Sequence, residues 1–173
     1  LLFGLSGETA TVLCAANRVV VSQTGPRLTL NSRAIVLELR LAPDGAVLLQ
    51  SLKRAGGGHD WAMKGTAAGI NLSSDLVTLT GFSAGSGFQH VGHKHRLTPA
   101  GGTELAIDLE HRTSKLFATL LLTAYPNAPV IDLCLRLRNF GEAPLRNLSR
   151  FDPLSIALQT SSQPYNAWWV TRN

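Results

Sequence analysis

The sequence predicts an all-β fold, a large antiparallel two-sheet supersandwich, on three observations. Apolar and polar residues alternate with period two over several segments. Clusters of Gly, Pro, Asn and Ser punctuate them about every dozen residues, and no stretch carries a convincing helical period. About a dozen short strands broken in this way are what two packed antiparallel sheets produce. A chain of 173 residues is one domain long and buries a core without help from a metal or a disulfide.

The elements follow in order. Residues 1–16, LLFGLSGETATVLCAA, read as a strand or strand pair, because Glu8 and several Ser and Thr interrupt the apolar run and no basic residues precede it, unlike a secretory leader. Asn17 to Ser22 and Arg27 to Asn31 are the next strands. From Arg33 to Leu41, Ile35, Leu37, Leu39 and Leu41 point one way while Glu38 and Arg40 point the other. Pro43-Asp44-Gly45 supplies a tight turn, Pro by its fixed φ and Gly by its tolerance of positive φ, and Ala46 to Lys53 returns as the partner strand. Ala55-Gly56-Gly57-Gly58 and Ala84-Gly85-Ser86-Gly87 read as loop tips. Asp75 to Phe82 and Phe88 to Leu97 are further strands. In Glu104 to Glu110, Leu105, Ile107 and Leu109 face inward and Glu104, Asp108 and Glu110 outward. Leu116 to Tyr125 is apolar on nearly both faces, which places it centrally in a sheet. Pro129 to Asn139 has one row of Ile131, Leu133, Leu135 and Leu137 and another of Asp132, Cys134, Arg136 and Arg138. Arg136 and Arg138 are expected to pair with the acidic row of Glu104 to Glu110. Leu154 to Gln159 and Ala167 to Thr171 complete the set.

A net charge of +5 is spread along the chain without a basic run, so no nucleic-acid partner is expected. No segment reaches the roughly 18 apolar residues of a membrane-spanning helix, and no membrane association is expected. Cys14 and Cys134 lie far apart with no CxxC or Cys/His pattern, which predicts buried thiols, a disulfide being the alternative in an exported protein. Asn71-Leu72-Ser73 and Asn147-Leu148-Ser149 fit the glycosylation sequon, a triplet that chance also supplies. A chain that starts at Leu1 without Met and ends on WWVTRN is expected to be part of a longer polypeptide.

The polar residues that bear chemistry are few. His90, His93 and His95 fall in one strand-like segment, where alternation puts His93 and His95 on one face and His90 joins them only if a bulge forms near Gly92. His93 and His95, joined by His90 across such a bulge, are the candidate ligands for a metal ion, but no acidic ligand lies nearby in sequence, so hydrogen-bonded or exposed histidines are the expectation, with no metal and no cofactor, and metal binding is the alternative. A sugar epimerase on such a sandwich would need a His facing a Glu, for which His93 or His95 with Glu104 or Glu110 are the nominal pairs. A glycosidase needs two carboxylates flanking a cleft, one with a raised pKa. Here the acids sit in turns, as at Asp44, Asp60 and Glu142, or on outward rows, so no catalytic residue is expected. No GxSxG, P-loop, dinucleotide fingerprint or HExxH occurs. Trp61, beside Asp60 on a loop after the glycines, and the adjacent Trp168 and Trp169 are the candidate substrate-binding residues, because an indole stacks on a sugar ring and loops on a rigid sandwich carry binding groups.

From Glu104 onward the order of features resembles the N-terminal β-supersandwich domain, galactose mutarotase-like in fold, of glycoside hydrolase family 36, the α-galactosidase family. Carrying it are Leu120 to Pro126 (LLLTAYP), Pro129-Val130-Ile131 opening a strand, Leu135 to Gly141 (LRLRNFG), Pro144-Leu145, the stretch Arg150 to Leu158, and Trp168-Trp169. Leu30 to Glu38 and the Asp44-Gly45 hairpin resemble the opening strands more loosely. The resemblance implies a non-catalytic domain packed on a downstream catalytic (β/α)8 barrel of the same polypeptide, with the catalytic aspartates on the barrel. It further implies participation in a homo-oligomer and a loop, with Trp61 or Asp60, lent to a pocket for an oligosaccharide. A free-standing carbohydrate-binding or interaction module is the alternative.

Overall fold

The computed structural model describes residues 19–67, 69–79, 87–126, 128–155 and 157–159. Every regular element among them is a strand, and every strand pairing is antiparallel. The first sheet runs in chain order through β1 (Val20–Thr24), β2 (Arg27–Asn31), β3 (Ile35–Leu41), β4 (Val47–Arg54) and β5 (Thr66–Ala67). The second has the order β11 (Ile131–Asn139), β10 (Leu116–Ala124), β9 (Thr103–His111), β8 (Gln89–Leu97). These two face each other as the layers of a sandwich. Leu28, Leu30, Leu37, Leu39, Val47 and Leu49 from the first meet Leu105, Ile107, Leu109, Ala118, Leu120 and Leu122 from the second in one buried cluster. Ile131, Leu133, Leu135 and Leu137 pack on its margin, as their alternation requires.

Residues 69–79 depart from the two-sheet expectation by forming a third, smaller sheet with the C-terminal part of the chain. β6 (Gly69–Ser73) lies between β12 (Arg150–Ser155) and β7 (Thr78–Leu79), and Leu72 and Leu79 pack with Leu116 in a second cluster. The sequence reading passes over β6 because Ile70, Asn71 and Leu72 are all buried, so no alternation marks the strand. Burial of Asn71 also removes the first sequon from the surface.

The turn at residues 43–45 forms as expected. Asp44 Oδ1 accepts from the Ala46 amide, Ala42 N–H donates to the Ala46 carbonyl, and Gly45 takes φ +85°. β10 is interior to its sheet, also as expected. Two expectations fail. Arg136 and Arg138 do not reach the acidic row of β9, because β10 lies between: Arg136 is opposite Thr119, which is opposite Asp108. Two strand spacings, about 9.6 Å, separate the charges, and the acids take nearer partners, Thr119 Oγ1 for Asp108 at 2.7 Å and Arg112 for Glu110 at 3.6 Å. Cys134 is an exposed free thiol, because its row on β11 is the one turned away from the core. Cys14 lies outside the described residues.

Candidate functional site

The segment after the glycine loop is firmly seated, in contrast to the loop tip that the sequence suggests. Gly56, Gly57 and Gly58 all take φ near +100°, a region closed to other residues, and turn the chain back along β4. Trp61 N–H then donates to the Leu52 carbonyl at 2.9 Å on one side. On the other, Gln159 N–H donates to the Trp61 carbonyl at 2.9 Å and Met63 N–H to the Ala157 carbonyl at 3.1 Å. Gln159 Nε2 donates to the Asp60 carbonyl, and a His59 ring N–H to the Gln159 carbonyl. Residues 59–63 are thereby zipped between β4 and residues 157–159.

Asp60 is the lynchpin of this seating. Its Oδ1 accepts from the amides of Leu52, 2.9 Å, and Ala62, 3.1 Å. Burial raises the carboxyl pKa, but these two bonds, with the Lys64 charge nearby, outweigh it and hold Asp60 below the usual range. The buried Ser51 hydroxyl stays outside hydrogen-bonding geometry. Asp60 therefore serves the backbone, and Trp61 is the group left to face outward. Trp61, 37% exposed, and Met63, 47%, flank the buried Ala62 and form an apolar ledge on the face away from it, whereas Leu158 pairs with Ala62 and shares the other face. The His59 ring lies edge-on to the indole at 6.4 Å. Trp168 and Trp169 lie outside the described residues.

An open cleft of about 510 Å³ opens at the other end of the glycine loop, lined by Val20, Asn31, Ser32, Arg33, Ala55 and Gly56. Ser32 is spent on the turn, its hydroxyl accepting from the amides of Ala34 and Ile35. Asn31 and Arg33 are the exposed polar groups at its mouth. Neither stands out in sequence, since each is an ordinary strand-end residue until β1, β2 and the loop after β4 are brought together.

The histidines of β8 form the other polar grouping. A bulge between His90 and Gly92 leaves Val91 unpaired, so that His90, His93 and His95 fall opposite Leu109, Ile107 and Leu105 of β9. Cross-strand partners share a face, and all three histidines point to the core side. They remain partly or fully exposed because β8 is an outer strand. His90 Nε2 lies 3.2 Å from His93 Nδ1, and His93 Nε2 lies 3.2 Å from Oε1 of Gln23 on β1, the outer strand of the facing sheet. Burial first, then the charge of His93, hold the His90 pKa below its usual value, against a hydrogen bond to the Gly92 main chain and the charge of Asp108. Among the described residues no group of three or more His, Cys, Asp or Glu side chains is arranged to hold a metal ion.

The same alternation that aligns the histidines separates them from the acids of β9. Arg96, opposite Glu104, binds its carboxylate at 2.7 Å on the outer face, and Glu110 shares that outward row. His93 and His95 thus look away from Glu104 and Glu110, and the His/Glu pairing of an epimerase is not assembled. Other carboxylates are likewise engaged: Asp75 accepts from the Arg146 amide, Asp132 from the Tyr125 hydroxyl, and Glu38 pairs with Arg27 at 4.0 Å. Comparison with known proteins adds no family: no protein-family model matches the sequence, and no curated protein matches it significantly.

Proposed function

We propose that this sandwich is a non-catalytic module of a larger, α-galactosidase-like glycoside hydrolase, packing on a downstream (β/α)8 barrel and offering the Trp61 ledge to the rim of its sugar pocket. The observation that carries the non-catalytic part is the employment of the carboxylates. Asp44, Asp60 and Asp75 hold backbone amides, and Glu38, Glu104, Asp108, Glu110 and Asp132 hold side chains of neighbouring residues. Glycosidic cleavage needs two acids converging on one bond, the proton donor with a raised pKa. The Asp60 carboxyl, despite the burial that raises its pKa, is held low by the amides of Leu52 and Ala62, the opposite of what a proton donor needs.

The ledge supports a second reading, a free-standing carbohydrate-binding module, since a half-exposed indole flanked by His59 and Met63 offers a stacking platform. The isolated chain, assayed on a chromogenic α-galactoside, is expected to give no turnover, and measurable turnover overturns the proposal. Binding of the chain alone to immobilised oligosaccharides, lost in Trp61→Ala, selects the second reading. Binding only by the protein carrying the barrel selects the first.

A further inference from the structure

The geometry points to a transition-metal site on the His90–His93 pair of β8, a two-histidine chelate for a borderline cation such as Zn²⁺ or Cu²⁺ with solvent completing the coordination. Two imidazole nitrogens bound to one tetrahedral ion at 2.0–2.1 Å stand about 3.3 Å apart. His90 Nε2 and His93 Nδ1 stand 3.2 Å apart.

The outer hydrogen bond of the pair favours the same arrangement. Gln23 Oε1 lies 3.2 Å from His93 Nε2 and accepts its N–H, which leaves Nδ1 as a lone pair. In the metal-free pair His90 Nε2–H donates to that lone pair. A metal ion takes the place of this shared proton, which His90 releases to solvent or carries on its other ring nitrogen. Metal-ligating histidines are commonly held in this way, the far nitrogen donating to a carbonyl oxygen or carboxylate. Imidazole ligands select Zn²⁺, Cu²⁺ or Ni²⁺ over Mg²⁺ or Ca²⁺.

The arrangement depends on the bulge. In an unbroken strand, residues three apart face opposite ways, and the extra residue Val91 restores His90 to the face of His93. Because Gln23 belongs to the facing sheet, an ion bound to the pair is linked through one hydrogen bond to the opposite layer of the sandwich.

The test is a calorimetric titration of the full chain with Zn²⁺ and Cu²⁺, with thermal unfolding in each metal and a circular-dichroism check that each variant is folded. One ion per chain and a raised Tm are expected. H90A and H93A are each expected to lower affinity at least tenfold, and Q23A, which removes no ligand, by about tenfold. H59A, remote from the pair, leaves binding unchanged. Absence of binding by the unmodified chain overturns the site, as does binding retained in both folded H90A and H93A. Loss in H95A with H90A unaffected also overturns it, placing the ion on a different pair. Unchanged affinity in Q23A removes the role of the facing sheet.

Discussion

The backbone amide of His90 donates to the carbonyl of Gly45 at 2.7 Å, so the turn joining β3 and β4 of one sheet is bonded to the outer strand of the other. Gly45 holds φ +85°, and a Cβ built there meets Gln89 Cβ at 3.0 Å. Gly45→Ala is therefore expected to cost about 2 kcal/mol, from left-handed backbone strain and this contact together. Urea unfolding reads the loss. Adding Gln89→Gly should recover the part due to crowding and leave the part due to φ.

Asp60 should matter to stability through its two backbone partners. Asp60→Ala is expected to cost about 1–2 kcal/mol, the usual loss when a side-chain acceptor of backbone amides is removed, whereas Asp60→Asn keeps an acceptor oxygen and costs less. Because its folded pKa is depressed, the stabilisation by ionised Asp60 is present above the unfolded value near 3.9 and fades as pH falls through the lower folded value. Acid unfolding curves of the native chain and Asp60→Asn should converge at the acid end.

A second pH effect lies near neutrality. Burial lowers the pKa of His111, and its Nδ1 faces the Ser114 hydroxyl at 2.6 Å as an acceptor. A depressed histidine pKa means that the unfolded chain takes up the proton first. Stability is thus fully present above about pH 6.5 and declines as pH falls toward the folded value. Tm measured from pH 7.5 to 5 should fall, with part of that slope removed in His111→Gln. An unchanged slope would assign the effect to other groups.

Cys134 stands on the outward row of β11. A maleimide should modify it in the native protein without denaturant, as peptide mass mapping would show. Cys134→Ser is expected to shift stability by no more than about 0.5 kcal/mol, the usual range for a surface change. By contrast Ile107→Ala, at a fully buried position, should cost about 2–5 kcal/mol.

Where one face of a strand is buried and the other wet, the sequence is readable. β3, β9 and β11 lie within two residues of their expected bounds because each alternates over most of its length, Val36 and Ala106 being the breaks in β3 and β9. β6 escapes notice because both its faces are covered. Neighbour order is a different kind of information. Nothing in the period of β9 or β11 says that β10 separates them, and so the Arg136 and Arg138 pairings were predictable in sign but not in reach. The same holds at the candidate site. Trp61 and the glycines that precede it are conspicuous, yet the bond from Gln159 to Asp60 joins residues 99 apart. No local pattern announces that contact. The histidine row lies between these cases, since Gly92 hints at a bulge and only the pairing with β9 fixes it.

The surplus residue in β8 also makes the strand unequal in its response to changes of length. Every other residue of Gln89–Leu97 with a partner on β9 has one assigned place in the ladder, and Val91 alone has none. Excising Val91 would leave each remaining pair in phase, whereas excising Lys94 would shift one flank of the strand by a single step and turn its side chains inside out. Shortening by one residue should accordingly yield a folded protein at the first position and a misfolded one at the second.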